Sequence, residues 1–141
     1  MSRQSWVIAA VCAILACVLS GCGSDDDDGD GARSYITSHD TRAANLDEAN
    51  DGRAYTANKQ PGAVADEITK AARPLDRRSS GPTTFLQYRD DIIAISPYGS
   101  GSKILVDDYR NGYRRHHAFV SVFGWPSDNS GFRGGGSGDG K

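Results

Sequence analysis

The side chains with the most reactive chemistry lie close together in the sequence, within residues 107–117. His116 and His117 are neighbours, and two carboxylates, Asp107 and Asp108, precede them. A histidine that is oriented by a carboxylate can move protons in general acid–base catalysis. One interpretation of this segment is therefore a small hydrolase or transferase with its site around these four residues.

Other groups that such an enzyme needs are not visible in the sequence. A hydrolase requires a nucleophile, and none of the serines stands in the Gly-x-Ser-x-Gly motif of a nucleophile elbow. Neighbouring histidines on a strand point to opposite faces, so His116 and His117 cannot bind one metal ion together. We therefore assign no catalytic residue, no metal site and no cofactor, and a noncatalytic protein is favoured.

Three arginines in the same segment offer a different chemistry. Arg110, Arg114 and Arg115 carry guanidinium groups, which suit carboxylate and phosphate, and at a membrane surface these anions belong to lipid headgroups or wall polymers. The alternative is a solvated face whose arginines pair with the domain's own aspartates, and this structural interpretation is favoured. The three arginines remain candidates for anion binding.

The first residues of the chain predict its compartment. An apolar run from Trp6 to Leu19 follows a short segment with one positive charge, in the order of a secretory signal peptide. The run is shorter than the ~20 apolar residues that a membrane span requires. Leu19-Ser20-Gly21-Cys22 resembles the lipobox of bacterial lipoproteins. We therefore predict a signal peptide at residues 1–21, a lipid on Cys22, and attachment to the extracytoplasmic face of the cell membrane.

Composition divides the rest of the chain into three parts. Residues 22–54 are rich in aspartate and poor in large apolar side chains, which predicts a flexible acidic leash. Residues 55–125 are the candidate domain, and residues 126–141 are rich in glycine, which predicts a flexible tail. The formal net charge of the whole chain is −2 at pH 7, and with an external location this disfavours nucleic acid as a partner.

The candidate domain combines a helical pattern with several strand patterns. Apolar residues at three- and four-residue spacing between Pro61 and Pro74 predict an amphipathic helix. Apolar and β-branched residues then alternate, which predicts four strands, at residues 83–88, 92–97, 103–109 and 113–123. The expected fold class is α+β, with one amphipathic helix packed on an antiparallel meander of about four strands.

The turns between the strands predict which residues face one another. A turn at Asp90-Asp91 would set Tyr88 opposite Ile93 and Leu86 opposite Ile95, which gives the two strands one shared apolar face. Asn111-Gly112 is a strong signal for a two-residue hairpin. Closed around that turn, the last hairpin would place Asp107 beside His116, and these two residues are the candidate pair. The structural interpretation of the pair is a cross-strand surface contact, and the functional one is a dyad that awaits a nucleophile or ligand.

Several stretches of this domain resemble a known family. They are Pro61-Gly62-Ala63-Val64-Ala65-Asp66-Glu67-Ile68, Phe85-Leu86-Gln87-Tyr88-Arg89-Asp90 and Val106-Asp107-Asp108-Tyr109-Arg110. They look like the family called domain of unknown function 4247, whose members are short bacterial proteins, commonly lipoproteins with a glycine-rich end. The resemblance implies a lipoprotein and carries over no catalytic residue.

Together these features predict a membrane-anchored extracytoplasmic lipoprotein that acts as a noncatalytic binding or interaction module of the cell envelope. Its expected partners are the membrane, through the lipid on Cys22, and an envelope protein or an anionic surface component. The small enzyme remains the alternative.

Overall fold

Six strands form one antiparallel sheet in the computed structural model of the chain, which describes residues 29–132. The strands are β1 (Thr41–Arg42), β2 (Arg53–Ala57), β3 (Asp76–Ser80), β4 (Thr83–Gln87), β5 (Asp91–Tyr98) and β6 (Gly101–Asp108). Their order in the sheet is β1-β2-β6-β5-β4-β3, so β3 to β6 form a meander and β2 pairs with its last strand. The predicted α+β class is confirmed, whereas the predicted number of strands is wrong.

Helices cover both faces of this sheet. They are α1 (Gly29–His39), α2 (Pro61–Ala71), α3 (Tyr109–Arg115) and α4 (His117–Val120), with short 3₁₀ helices at Ala44–Leu46 and Ser130–Phe132. The amphipathic helix predicted after Pro61 is confirmed as α2. It begins with proline in its first turn, where a backbone N–H would have no acceptor within the helix, so the missing N–H costs no hydrogen bond. The expectation of a single helix is wrong.

The larger apolar core lies between the first face of the sheet and the helices α1 and α2. Its fully buried members come from both helices, from the central strands and from the turn between β4 and β5: Ala32, Ile36, Ala65, Ile68, Leu86, Tyr88, Ile93, Ile95 and Ile104. The Tyr88 hydroxyl donates to the carbonyl oxygen of Ala72 at 2.7 Å. This bond ties the turn before β5 to the end of α2.

The acidic segment 22–54 does not behave as a flexible leash throughout. Residues 29–54 form α1, β1 and the start of β2, and Ala32 and Ile36 are 0% exposed. Two apolar side chains one helical turn apart suffice here because they dock on a core that the rest of the chain supplies. The prediction is therefore wrong for residues 29–54, while residues 22–28 lie outside the described range.

The second face of the sheet is covered by α3, α4 and the segment that follows them. Its buried cluster contains Phe85, Ile92, Ala94, Tyr109, Val120 and Trp125. The Trp125 indole N–H donates to Asp76 Oδ2 at 2.9 Å, which holds this segment against the edge strand β3. Of the predicted glycine-rich tail, residues 126–132 are described and contain a 3₁₀ helix, and residues 133–141 lie outside the described range.

The hairpin predicted at Asn111-Gly112 is wrong, because both residues lie inside α3. The predicted strand 113–123 is helical for the same reason: this part of the chain covers the second face of the sheet instead of extending it. A helix that covers a buried face gains more from packing than a local turn preference contributes.

The register predicted between β4 and β5 is also wrong, by two residues. Leu86 faces Ile93 instead of Ile95. A shift of two keeps every side chain on its own face of the sheet, so the shared apolar face was predicted correctly.

Candidate functional site

A cavity of about 600 Å³ lies on the exposed side of α3. It is called the basic pocket here and is lined by Arg110, Tyr113, Arg114, His117, Ser127 and Asp128. Arg110 and Arg114 are one helical turn apart on α3, and a spacing of four residues places side chains on the same side of a helix. The sequence of α3 alone therefore brings two guanidinium groups into one cavity.

Neither guanidinium of the basic pocket is neutralised by a direct ion pair within residues 29–132. Arg114 donates to Asn111 Oδ1 at 2.6 Å and to the carbonyl oxygen of Arg110 at 3.4 Å, and both acceptors are uncharged. No carboxylate of the described residues lies within 4.0 Å of Arg110 or Arg114. Arginines of this kind are free to donate to an anion that enters from outside.

One carboxylate lines the same cavity at a greater distance. Asp128 Oδ1 accepts hydrogen bonds from the backbone N–H of Ser130, at 2.9 Å, and from its hydroxyl. These bonds, together with the positive charge of Arg110, hold the pKa of Asp128 below its ordinary value of 3.8. Asp128 is therefore charged at neutral pH, and the pocket combines two guanidinium groups with one carboxylate.

The walls of the basic pocket are fixed by contacts with the core. Tyr109, at the start of α3, is fully buried, and its hydroxyl donates to the carbonyl oxygen of Pro126 at 2.9 Å. Gln87 on β4 donates to the same hydroxyl at 3.0 Å. On the wall itself, the rings of Tyr113 and His117 meet edge to face, with centroids 5.6 Å apart. The helix and the segment before Ser127 are thus held together by one tyrosine.

The third arginine predicted for anion binding, Arg115, is directed elsewhere. Its guanidinium donates to both carboxylate oxygens of Asp107 at 3.0–3.1 Å, to Glu48 Oε2 at 3.0 Å, and to the carbonyl oxygen of Ala49. Lys103 donates to the other oxygen of Glu48 at 3.1 Å. This ion network leaves Arg115 18% exposed, so the structure brings only Arg110 and Arg114 of the three together.

The candidate pair of Asp107 and His116 is in contact, but not through the predicted hairpin. His116 Nε2 lies 3.6 Å from Asp107 Oδ2 because α3 folds back over the end of β6. Asp107 is 0% exposed and already accepts from Arg115. The other two residues of the alternative enzyme site lie apart from the pair: Asp108 is exposed at the end of β6, and His117 lines the basic pocket.

A sequence model of the family described as domain of unknown function (DUF4247) matches residues 14–137, which is most of the chain. The chain belongs to this family. The resemblance seen in the sequence is therefore confirmed. No curated protein and no solved structure matches the chain.

This DUF4247 protein has a second cavity beside the basic pocket. The acidic groove, about 630 Å³ in volume, is lined by Asp30, Arg33, Asp90, Asp91, Asp108, Arg110, Asn129 and Ser130. Asp91 is 2% exposed and accepts hydrogen bonds from Arg33 on α1, one of them 2.7 Å long. Burial raises the pKa of Asp91 above its ordinary value of 3.8, although Arg33 acts in the opposite direction.

The ion pair in the acidic groove joins α1 to the sheet. Sequence reasoning missed it because Arg33 lies in the segment that was predicted to be flexible. The sequence did carry one signal for this helix: Ala32 and Ile36 have the four-residue spacing of an apolar helix face, and Arg33 lies between them.

Two further observations concern chemistry and location. Among residues 29–132, no three histidine, cysteine, aspartate or glutamate side chains are grouped so that they could hold a metal ion. In the same range, no helix has the length and apolar character that crossing a membrane requires.

Proposed function

We propose that this DUF4247 protein is a noncatalytic lipoprotein of the extracytoplasmic membrane face, which binds an anionic group of the cell envelope in its basic pocket. The observation that carries this proposal is the pair of arginines on α3. Arg110 and Arg114 line one cavity, and neither has a carboxylate of the described residues within 4.0 Å.

The chemistry of the pocket suits a carboxylate or a phosphate. Guanidinium groups donate in a planar fork that matches the oxygens of both anions. The rings of Tyr113 and His117 form one wall of the cavity, and a charge pair near a protein surface is stronger than one in bulk water. Binding needs no nucleophile, which agrees with a site built from two arginines, two rings, a hydroxyl and one carboxylate.

The first residues of the chain support the proposed location at the membrane. Leu19-Ser20-Gly21-Cys22 ends the apolar run in the manner of a lipobox. From Cys22 to Gly29, where α1 begins, the chain advances seven positions, and seven residues span at most about 25 Å when fully extended. A lipid on Cys22 would therefore keep the domain close to the membrane surface.

Titration calorimetry tests the anion site. The full chain in detergent micelles is titrated with monoethyl phosphate. The double variant Arg110→Gln/Arg114→Gln should bind at least about tenfold more weakly, because it loses both charge-assisted contacts. The matched control is Arg53→Gln/Arg73→Gln, which removes the same charge from two exposed arginines elsewhere. Equal losses in both variants, or no binding by the wild type, would refute the proposed pocket.

Fractionation tests the anchor. In intact cells, Cys22→Ser should move the protein from the detergent phase to the aqueous phase or leave it unprocessed. Cys17→Ser, which changes a cysteine inside the apolar run, is the control and should leave the distribution unchanged. An anchored Cys22→Ser protein would contradict the lipoprotein assignment.

A further inference from the structure

We infer that the basic pocket selects a zwitterion, a small ligand that carries an ammonium group as well as a phosphate or carboxylate, and that Asp128 is the residue that recognises the ammonium group. This inference rests on the proposed anion site and names the class of its ligand.

The first observation is that opposite charges share the cavity without touching. Asp128 lines the same 600 Å³ space as Arg110 and Arg114, yet it lies beyond the 4.0 Å limit of an ion pair with either. A carboxylate that neutralised these arginines would form a direct ion pair with at least one of them. The gap leaves room for a ligand whose own two charges meet the two kinds of group.

The second observation is that Asp128 is positioned by groups other than the two arginines. Both hydrogen bonds from Ser130 go to Oδ1, so lone pairs of the other oxygen remain for a donor. The segment that precedes Asp128 is anchored at Trp125, which is 5% exposed and bonded to Asp76, and at Pro126, which accepts from Tyr109. The backbone at Asp128 is therefore positioned by the core, and not by the arginines.

These two observations predict how the pocket discriminates between ligands. A simple anion gains the two guanidinium groups but approaches the negative charge of Asp128. A zwitterion makes the same contacts with the arginines and adds an ammonium-to-carboxylate contact, so the charge of Asp128 favours it.

O-phosphoethanolamine and monoethyl phosphate test the inference, because they have nearly the same shape and differ by the ammonium group. The full chain in detergent should bind O-phosphoethanolamine about tenfold more tightly, which is the effect of one charge-assisted contact. In Asp128→Asn the preference should disappear. The affinity for O-phosphoethanolamine should fall, while the affinity for monoethyl phosphate should stay the same or rise. The control Asp51→Asn removes a carboxylate from an exposed turn and should keep the preference.

Arg114→Gln separates selectivity from a loss of structure. It should weaken both ligands by the same factor and leave their ratio unchanged. Equal affinity of the wild type for both ligands, or a preference that survives in Asp128→Asn, would overturn the inference while the anion site stands. If the wild type bound neither ligand, the proposed function itself would fail.

A competition experiment identifies the source of the zwitterion. Detergent micelles that contain phosphatidylethanolamine are added to the complex with O-phosphoethanolamine, and micelles with the same fraction of phosphatidylglycerol serve as the comparison. Displacement by the phosphatidylethanolamine micelles alone supports the zwitterionic headgroup of a lipid. Preferential displacement by the anionic phosphatidylglycerol micelles would contradict selection by Asp128.

Discussion

Arg114 and Arg115 are neighbours on α3, and the structure uses them in opposite ways. Arg115 turns toward the sheet, where it bonds to Asp107 and Glu48 and is 18% exposed. Arg114 faces outward, lines the basic pocket and bonds only to uncharged oxygens. Arginine is thus part of a partly buried ion network on one side of the helix and available to a ligand on the other. The comparison shows that the role of an arginine here depends on the side of α3 it occupies.

Loss of the inward arginine should have the largest effect on stability. Arg115→Met leaves Asp107 as a buried carboxylate without its main partner, and breaking such a pair costs about 3–5 kcal/mol. Because Arg115 is partly exposed, we expect a loss near the lower end, about 3 kcal/mol. Urea unfolding followed by circular dichroism measures it.

The outward arginine is the matched control for this experiment. Arg114→Met should change the free energy of unfolding by no more than about 0.5 kcal/mol, as is usual for surface positions. If the two variants lost the same stability, the division of α3 into a structural side and a binding side would be wrong.

On the inward side of α3, adding a single methyl group at Gly112 should also destabilise the protein. A Cβ at Gly112 would lie 2.8 Å from Ile92 Cβ and 3.0 Å from Asp107 Cβ. Alanine favours a helix over glycine by about 1 kcal/mol, but overpacking costs about 1–3 kcal/mol. We therefore expect Gly112→Ala to lower the free energy of unfolding by about 1 kcal/mol and to lower the melting temperature.

Gly62 of α2 provides the control, because a Cβ there would meet no heavy atom within 4 Å. Gly62→Ala should leave the protein equally stable or slightly more stable. A gain in stability at both positions would mean that α3 does not approach the sheet as closely as described.

The ion network around Arg115 should give a small pH dependence. Partial burial acts to raise the pKa of Glu48, but Lys103 and Arg115 outweigh it and hold the pKa below its ordinary value of 4.5. The stabilisation by Glu48 is therefore complete above about pH 4.5 and is lost as the pH falls through the folded-state pKa. Since Glu48 is 38% exposed, the effect should be less than about 1 kcal/mol.

Unfolding of the wild type and of Glu48→Gln at about pH 7 and about pH 3 measures this effect. The difference between the two proteins should be present at the higher pH and shrink at the lower one. Asp51→Asn, at an exposed turn, should show no comparable change. A difference that grew on acidification would contradict the sign of the Glu48 shift.

Much of the fold could be predicted where the local pattern and the tertiary environment agree. Proline at the start, apolar residues every three or four positions and a final proline predicted α2 correctly. Apolar and β-branched residues over positions 83–108 predicted β4, β5 and β6, because these central strands are buried by helices on both faces of the sheet. The two short edge strands β1 and β3 carry mostly polar residues, so they lack an alternating apolar signal.

The candidate site shows where local patterns fail. Asn111-Gly112 is a good hairpin turn in isolation, yet it lies in a helix because α3 buries Tyr109 and covers Ile92. The Asp107 and His116 contact was expected from the hairpin and arises instead from that helix. Arg110 and Arg114 were recognised by residue type, but the pocket also needs Ser127 and Asp128, which lie in a segment predicted to be a tail.

By itself, the sequence determined the fold class, the central strands, α2 and membership of the DUF4247 family, because these depend on periodicity and on local motifs. Only the tertiary structure decided that α1 docks on the core, that Arg115 is largely buried in an ion network, and that Arg114 is exposed and bonded only to uncharged oxygens. The physical reason is that burial of a charge depends on which carboxylates other segments bring within hydrogen-bond distance. Asp107 and Glu48 come from β6 and from the loop before β2, and only the folded chain places both beside Arg115.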